Sequence, residues 1–350
     1  MYMKKNIVLH DYGAENHYLG LQHLCEMKNQ EINYHEFSFI RQIGKGLIRR
    51  DYLTFIRGLK NMLLMFKFIF NGAKNYKVIV GIAPYDYRVI FLKFLLRNSD
   101  YYLHTSWPYW FLGRTPKKNY SSLSGVWRKF VNRSRGVFCV TNAVKNNFCE
   151  GFSYDPNKCH VVYHSYDSQY FNLGDREEIK QNSELKVLYI GRVVKSKGLD
   201  IIEKLAREND HIQFGIIGDG DYVLPDLNNI VCYGKITNKK VLTEIIREHS
   251  ILLLPSRKTK NWEDVFGMVI IEALACGLFP ITTDHIGPKE LVSQTMGVTS
   301  SEEEFEDNFL KLYKDMYDDS FNYSREEMNN SVKKFSSKEI SHLWKPFFDA

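Results

Sequence analysis

Short apolar runs alternate with stretches of helical period along the whole chain, and this restricts it to an α/β fold built on parallel sheets. In the second half, apolar runs begin at Val187, Gln213, Ile230, Ile251 and Phe279. In the first half, residues 6–10, 78–82, 101–104, 137–140 and 161–163 read as short buried strands, with helical segments such as 89–96 and 124–132 between them. A length of 350 residues is long for one core and suits two. The polar stretch 167–184 is the expected linker, with a first domain over 1–166 and a second over 185–335. Each domain is expected to be a doubly wound parallel sheet.

Two segments of the second half carry the chemistry. Residues 267–276 read as a helix without a polar face, and Gly277 supplies a left-handed stop. One charge, Glu272, interrupts it. A buried carboxylate is costly unless something pairs with it. Seven residues separate Glu272 from a second acid, Asp264. A buried acid, a partner acid and a glycine-opened helix start suit a polar, anionic ligand; a Glu held by a backbone amide or an arginine is the alternative. Upstream, residues 187–206 read as a buried strand, a glycine turn and an amphipathic helix with the stripe Leu199, Ile202, Leu205 and Ala206. The turn holds Arg192, Lys195 and Lys197. Ligands of open α/β sheets bind at strand C-terminal ends, where these cations suit a diphosphate; a solvated basic loop is the alternative.

These segments resemble the retaining, nucleotide-sugar-dependent glycosyltransferases of family 4, which have the GT-B fold of two Rossmann-like domains with a cleft between them. The motifs are G-R-x-x-x-x-K-G (residues 191–198) and acid-x-F-G-x5-E-A-x-x-x-G (residues 264–277). Between them lie I-I-G-D-G (216–220), Y-G-K (233–235) and L-L-P-S (253–256), and after them H-I-G-P-K-E-L-V (285–292). The likeness is strong over residues 185–292 and weak before. It implies that Arg192 and Lys197 neutralise the departing diphosphate and that Glu272 accepts from the ribose hydroxyls. It implies that Asp264 holds the donor sugar, although the family usually has Glu there and Glu263 is adjacent. Gly191, Gly218, Asp219 and the amides near Gly267, Met268 and Val269 would line the nucleotide site. The expected donor is a nucleotide diphosphate sugar and the expected acceptor a glycan or lipid-linked glycan, with no cofactor and no metal. The last helix, over 336–350 with its stripe Ile340, Leu343 and Trp344, is implied to pack on the first domain.

Other features are read with their alternatives. Asp219 and Asp221 form D-x-D, a spacing that can hold a divalent cation, but the run follows a buried strand and reads better as a turn lining the nucleotide pocket, whose glycines let the backbone approach a ligand. His104 closes an apolar strand; the family has a sugar-contacting His in a comparable place, and a core histidine is the alternative. Gly13 stands where the family often has a Gly-Gly loop. His17 and His164 read as structural.

Charge divides unevenly. Residues 1–165 hold 24 Lys/Arg against 10 Asp/Glu, and the remainder 23 against 31. Such a split points to an anionic partner for the first half. Residues 41–77 carry nine Lys/Arg against one acid, Asp51. Placed on one helix, Tyr52, Ile56, Leu59, Leu63, Phe66 and Phe70 form an apolar stripe flanked by Lys45, Arg49, Lys60 and Lys67. A basic amphipathic helix suits an anionic bilayer surface; a core-facing helix is the alternative. Six scattered cysteines give no C-x-x-C pair and fit a reducing compartment. With no signal-peptide pattern and no spanning apolar run, the expected location is cytoplasmic, peripheral on the inner membrane face. A nucleotide-sugar epimerase of the same fold is one rival reading. A basic nucleic-acid-binding protein is another, against which no nucleic-acid module appears, so nucleic acid is not an expected partner.

Overall fold

The computed structural model describes residues 4–111, 121–174, 185–321 and 323–348. The chain divides into two compact units, Met1–His164 with Ile340–Ala350, and Ser165–Glu339.

The first unit contains strands β1 (Lys5–His10), β2 (Ile32–Glu36), β3 (Tyr76–Gly81), β4 (Asp100–Thr105), β5 (Val137–Cys139) and β6 (Cys159–Val161). Its helices are α1 (Leu19–Met27), α2 (Phe39–Ile48), α3 (Tyr52–Asn71), α4 (Val89–Leu95), α5 (Ser124–Arg133) and α6 (Asn142–Phe152). All pairings are parallel, in the order β2-β1-β3-β4-β5-β6. The order reverses between β1 and β3, which opens a crevice at their C-terminal ends. The strands expected from apolar runs are present, except that the last is Cys159–Val161 rather than the expected 161–163. The edge strand β2 was not expected, because its sequence Ile-Asn-Tyr-His-Glu is polar and none of its residues is fully buried.

The basic segment is two helices rather than one. Arg50, in the left-handed region at φ +53°, turns the chain between α2 and α3. Asp51 caps α3, its side chain accepting from the Thr54 amide at 3.0 Å. The helices pack closely at two glycines. A methyl group on Gly46 would stand 2.6 Å from the Phe55 nitrogen, and one on Gly58 2.8 Å from Ile43. Lys45 and Arg49 therefore belong to the α2 end, not to the flank of α3. The core-facing side of α3 is Gly58, Asn61, Met65 and Phe68. Along the expected stripe, Tyr52, Leu63, Phe66 and Phe70 are exposed, so this stripe is not the unit's core.

The C-terminal segment is a short helix, Ser337–Ser341, followed by a 3-10 turn, His342–Phe347. Its residues from 340 on belong to the first unit. Trp344 is buried against Phe138, with ring centroids 4.7 Å apart. The Lys77 ammonium donates to the carbonyls of Phe347 and Phe348, and the Tyr102 hydroxyl to that of Pro346.

The second unit contains β7 (Lys186–Ile190), β8 (Gln213–Ile217), β9 (Ile230–Gly234), β10 (Ile251–Leu254), β11 (Phe279–Thr283) and β12 (Val298–Ser300). Its helices are α7 (Leu199–Glu208), α8 (Lys239–Arg247), α9 (Met268–Ala275), α10 (Ile286–Val292), α11 (Phe305–Tyr317) and α12 (Arg325–Val332). The parallel sheet runs β12-β11-β10-β7-β8-β9, the strand order of dinucleotide-binding sheets, and it reverses between β7 and β10. Of the expected linker, residues 167–174 pack within this unit. The Arg247 guanidinium donates to the Asn172 carbonyl at 2.8 Å and to its side-chain oxygen at 2.6 Å, and Lys239 pairs with Asp167 at 3.3 Å. Residues 175–184 lie outside the described residues. Among the described residues, no helix is long and apolar enough to cross a membrane.

Replacing Trp344 by Ala should cost the first unit about 3–5 kcal/mol, the usual range for emptying a buried tryptophan site. Denaturant unfolding monitored by tryptophan fluorescence would measure it. A loss well under ~1 kcal/mol would mean that this segment contributes little to the core.

Candidate active site

The loops after β7, β8, β10 and β11 meet at the C-terminal edge of the second sheet, beside the strand-order reversal. They interlock through their backbones. The Val193 amide donates to the Asp219 carbonyl at 2.9 Å, and the Tyr222 amide donates to the Val193 carbonyl at 2.9 Å. Gly218 sits at φ +147°, and a methyl group there would stand 1.8 Å from the Gly191 oxygen. Gly198, at φ +73°, would carry its methyl 2.0 Å from the Pro255 oxygen. These glycines serve loop-on-loop contact. At Gly218 the atom that a side chain would strike is the oxygen of Gly191.

Lys197 ends the 3-10 turn Lys195–Lys197. Its ammonium is hydrogen-bonded to the Asp264 carboxylate and lies 4.5 Å from the centre of the Trp262 ring. Burial pushes its pKa down, the Asp264 charge pulls it back up, and the nearby Arg192 charge lowers it further. Arg192 and Lys197 therefore act on one locality. Arg192 is exposed and has no ion-pair partner among the described residues. Its backbone is fixed by the Tyr189 hydroxyl, which donates to the Arg192 carbonyl at 2.7 Å.

The adjacent acids have different surroundings. Glu263 is 1% exposed. It accepts the Ile286 amide at the start of α10 at 3.0 Å and the Lys258 ammonium at 3.0 Å, a carboxylate engaged at a helix N-terminus. Asp264 is partly exposed and faces Lys197. Its amide donates to Nδ1 of buried His285 at 3.1 Å, and its carbonyl accepts from the Gly287 amide at 3.1 Å. Since Nδ1 accepts, the His285 proton is on Nε2, which is 3.3 Å from Glu302. This His285–Glu302 support was not foreseen, although His285 lies in a quoted motif. Trp262 and Lys239 had no sequence signal.

Helix α9 starts after Gly267 at φ +81° and ends at Gly277 at φ +84°. The Leu278 amide donates to Ala273 and the Gly277 amide to Leu274, a Schellman stop. As the first helical residues, Met268 and Val269 have amides without intrahelical acceptors. Glu272 has no side-chain hydrogen-bond partner among the described residues. Burial pushes its carboxyl up to about 7, and the Lys239 ammonium partly offsets this. Its neighbours thus disfavour the charge without satisfying it. Asp219 is exposed and 3.7 Å from Lys235, and among the described residues no trio of His, Cys, Asp or Glu is placed to hold a metal ion.

In the first unit, His104 lies in a buried cluster rather than on an open face. Its ring is 4.8 Å from Tyr18, 5.8 Å from His164 and 5.7 Å from Trp344, and its Nε2 has no partner among the described residues. His17 and His164 are 4.4 Å apart. His10, at the end of β1, lies over Gly81 at the end of β3, where a methyl group would stand 2.1 Å from the His10 ring. Gly13 lies beside Glu36, whose Oε1 would stand 3.4 Å from a methyl group on it. Asp11 is held by Ser38 and by Arg88, which also binds buried Asp86 at 2.5 Å.

Two opposed pH effects follow. Glu272 has a folded pKa above its ordinary 4.5, so its penalty is absent below that value and grows as pH rises through about 7. Glu272→Gln should therefore gain melting temperature over the wild type at pH 8 and lose that advantage near pH 4.5. His10 is depressed from 6.5 to about 4 by burial and by His17 against Asp11, and burial also depresses His17, His104 and His164. Stability of the first unit should fall as pH drops from about 6.5 toward 4. Thermal melts of both proteins across pH 4–9 test both signs; a Glu272→Gln curve flat below pH 6.5, where only the histidine effect remains, would contradict the histidine assignment.

Two family models match adjoining parts of the chain, Glycosyltransferase Family 4 over residues 34–170 and Glycosyl transferases group 1 over residues 184–315. An uncharacterised 41.2 kDa protein in the cps region of Klebsiella pneumoniae is 33% identical over 165 residues, 43% of each chain. The phosphatidylinositol N-acetylglucosaminyltransferase gpi3 subunit of Schizosaccharomyces pombe is 25% identical over 175 residues, 46% of this chain and 36% of that protein. The chain thus spans less than half the length of these relatives. Among solved structures, Anabaena Alr3699/HepE in complex with UDP-glucose is similar with a TM-score of 0.67 at 14% identity, over 99% of this chain and 100% of that one. The lipopolysaccharide outer core galactosyltransferase WaaB gives 0.65 at 15% identity over 99% of both chains. At such identities the likeness establishes the fold, two doubly wound parallel sheets of the GT-B type. With the family models covering both units, the chain belongs to glycosyltransferase family 4.

Proposed function

We propose that the chain is a retaining glycosyltransferase that moves a sugar from a nucleotide diphosphate sugar to a glycan or lipid-linked acceptor. The observation that carries this reading is the convergence, at one sheet edge, of a cation pair, an acid and a helix start. Arg192 and Lys197 share a locality with Asp264, and α9 begins four residues after that acid. In this reading Arg192 and Lys197 take the charge that builds on the diphosphate as the C1–O bond breaks. The bond's electron pair goes to the phosphate oxygen, and the acceptor hydroxyl joins C1 on the same face and gives its proton to that phosphate. Preorganised positive charge aimed at a leaving group is commonly the largest catalytic contribution. Asp264 releases Lys197 to the diphosphate and holds the donor sugar, and the amides of Met268 and Val269 meet phosphate. Glu272 gains from ribose hydroxyls the hydrogen bonds it lacks without ligand. The cations supply the role that a divalent ion plays in D-x-D transferases, so no metal is required.

A UDP-linked donor is supported by the similar Anabaena protein, seen in complex with UDP-glucose. A role in surface polysaccharide or glycolipid synthesis is supported by the relative in the Klebsiella cps region and by the lipopolysaccharide galactosyltransferase. The exposed apolar residues Leu47, Ile48, Tyr52, Leu53, Leu63 and Phe70 share α2 and α3 with exposed Lys45, Arg49, Lys60 and Lys67. Such a surface suits peripheral attachment to an anionic leaflet at the cytoplasmic face.

Arg192→Ala or Lys197→Ala should each lower turnover by roughly 10²-fold or more while leaving the fold intact. Turnover is read from release of UDP in the presence of excess chelator, and normal turnover in the double variant would end this assignment. Replacing Arg49, Lys60 and Lys67 by Glu should abolish co-sedimentation with phosphatidylglycerol liposomes at low salt. Wild-type protein that ignores those liposomes would argue for a soluble acceptor.

A further inference from the structure

Lys197 and Trp262 come from loops that the backbone holds together. The Arg257 amide donates to the Ser196 carbonyl at 2.9 Å, and a methyl group on Gly198 would stand 2.0 Å from the Pro255 oxygen. The loop after β10 therefore lies directly against the turn that carries Lys197. Within that loop, residues 259–262 close a tight turn. The Thr259 amide donates to the Trp262 carbonyl at 2.8 Å, and the Thr259 hydroxyl donates to the same carbonyl at 3.2 Å. The chain on either side of this turn is anchored as well. Glu302 accepts the Lys258 amide at 2.5 Å and lies 3.3 Å from His285 Nε2, while His285 Nδ1 accepts the Asp264 amide at 3.1 Å. The His285 ring also stands edge-on to the Trp262 ring, their centres 6.5 Å apart. The half-buried indole is thus fixed beside the Lys197 ammonium, which lies 4.5 Å from its centre.

Two groups hold this ammonium, and they treat its charge differently. Asp264 is an anion in a hydrogen bond with it and cancels much of its field at any third group. The indole is neutral. Its face attracts a cation more strongly than the other aromatic rings do, and it keeps water from one side. It leaves the positive charge available to an anion that enters the site. The Lys197 side chain is only 16% exposed, and removal from water strengthens the action of a charge on its neighbours. A lysine side chain is otherwise a flexible stem that must lose rotamer freedom before its charge is aimed.

We infer that Trp262 is a positioning residue for departure of the diphosphate: its ring keeps the Lys197 ammonium in place when Asp264 turns to the donor sugar. The inference rests on the transferase reading above and deepens it, because Asp264 must give up Lys197 when it takes the sugar, and the cation then needs a second holder. With the indole against it, Lys197 stays aimed and partly dry while charge builds on the phosphate oxygen. Trp262 moves no proton and acts through Lys197 alone.

The test is a double-mutant cycle on the full chain, read as UDP released from UDP-glucose, UDP-galactose and UDP-N-acetylglucosamine over a range of donor concentrations. Trp262→Phe and Trp262→Met leave side chains of similar bulk, and only Phe keeps an aromatic face. Trp262→Met should lower kcat about ten-fold, equivalent to about 1.4 kcal/mol, with KM changed by less than about two-fold. Trp262→Phe should keep most of the rate. In a Lys197→Ala background Trp262→Met should cost nothing further, because the two residues act as one unit. Melting temperatures check that the variants fold, and Trp262→Leu replaces the Met variant if that one does not. Equal rates for the Phe and Met variants would overturn the inference, as would a Trp262→Met loss that persists in full without Lys197. Normal turnover in Lys197→Ala, or no UDP released from any of the three sugars by the wild type, would instead overturn the donor reading and the role of Trp262 with it.

Discussion

Four loops of the second unit touch backbone to backbone, and this contact holds everything chemical in the unit in place. The β8 loop rests on the β7 loop at Gly218 and Gly220, where a methyl group would stand 1.8 Å from the Gly191 oxygen and 2.0 Å from the Val193 oxygen. The β7 loop rests on the β10 loop at Gly198, and the start of α10 rests on Val265 and Phe266 at Gly287. Even methyl groups at the contacts would push the loops apart by more than an ångström. With glycines there, short loops carry Arg192, Lys197 and Asp264 to one edge without support from long ordered side chains. A catalytic group displaced by about 1 Å can lose most of its effect, so the steric fit of the loops belongs to the chemistry as much as the charges do.

Charge within that frame is arranged at a cost to stability. Lys197 and Asp264 satisfy each other, yet burial still depresses the Lys197 pKa. Glu272 has a distant cation, Lys239, and no hydrogen bond among the described residues. A sequence selected for stability alone would place Leu or Gln at that position of an otherwise apolar helix. An acid that the fold penalises is a candidate functional group rather than a structural one. Glu263 illustrates the opposite case. It is more buried than Asp264, but its oxygens are engaged by the Ile286 amide and by Lys258, and it holds a helix end.

The first unit uses similar means for another end. Gly81 leaves room for the His10 ring across the reversal of strand order, and Arg88 joins the loops after β1 and β3 through Asp11 and Asp86. The β1 loop is thereby fixed beside the chain that follows β2, where the Ser38 hydroxyl donates to Asp11. The helix pair α2–α3, closely packed through Gly46 and Gly58, presents its remaining apolar and basic residues outward.

The sequence by itself determined the alternation of strand and helix, the left-handed stop at Gly277 and the isolated acid of α9, since each follows from local period or from one residue's conformational freedom. It also held the family motifs over 191–198 and 264–277. It left β2 illegible, because an edge strand with one partner tolerates Asn, His and Glu and loses the apolar signature. It merged α2 with α3, since the turn at Arg50 breaks no pattern of apolar residues. Only the tertiary structure separated Asp264 from Glu263, because both are acids and their difference lies in what α10 and the 258 loop bring to them. Only the tertiary structure placed His285 behind Asp264, set Gly218 against the Gly191 oxygen, and brought the rings of Tyr18 and Tyr34 together. These contacts join residues far apart in the chain, and local propensity carries no information about which distant atoms will meet.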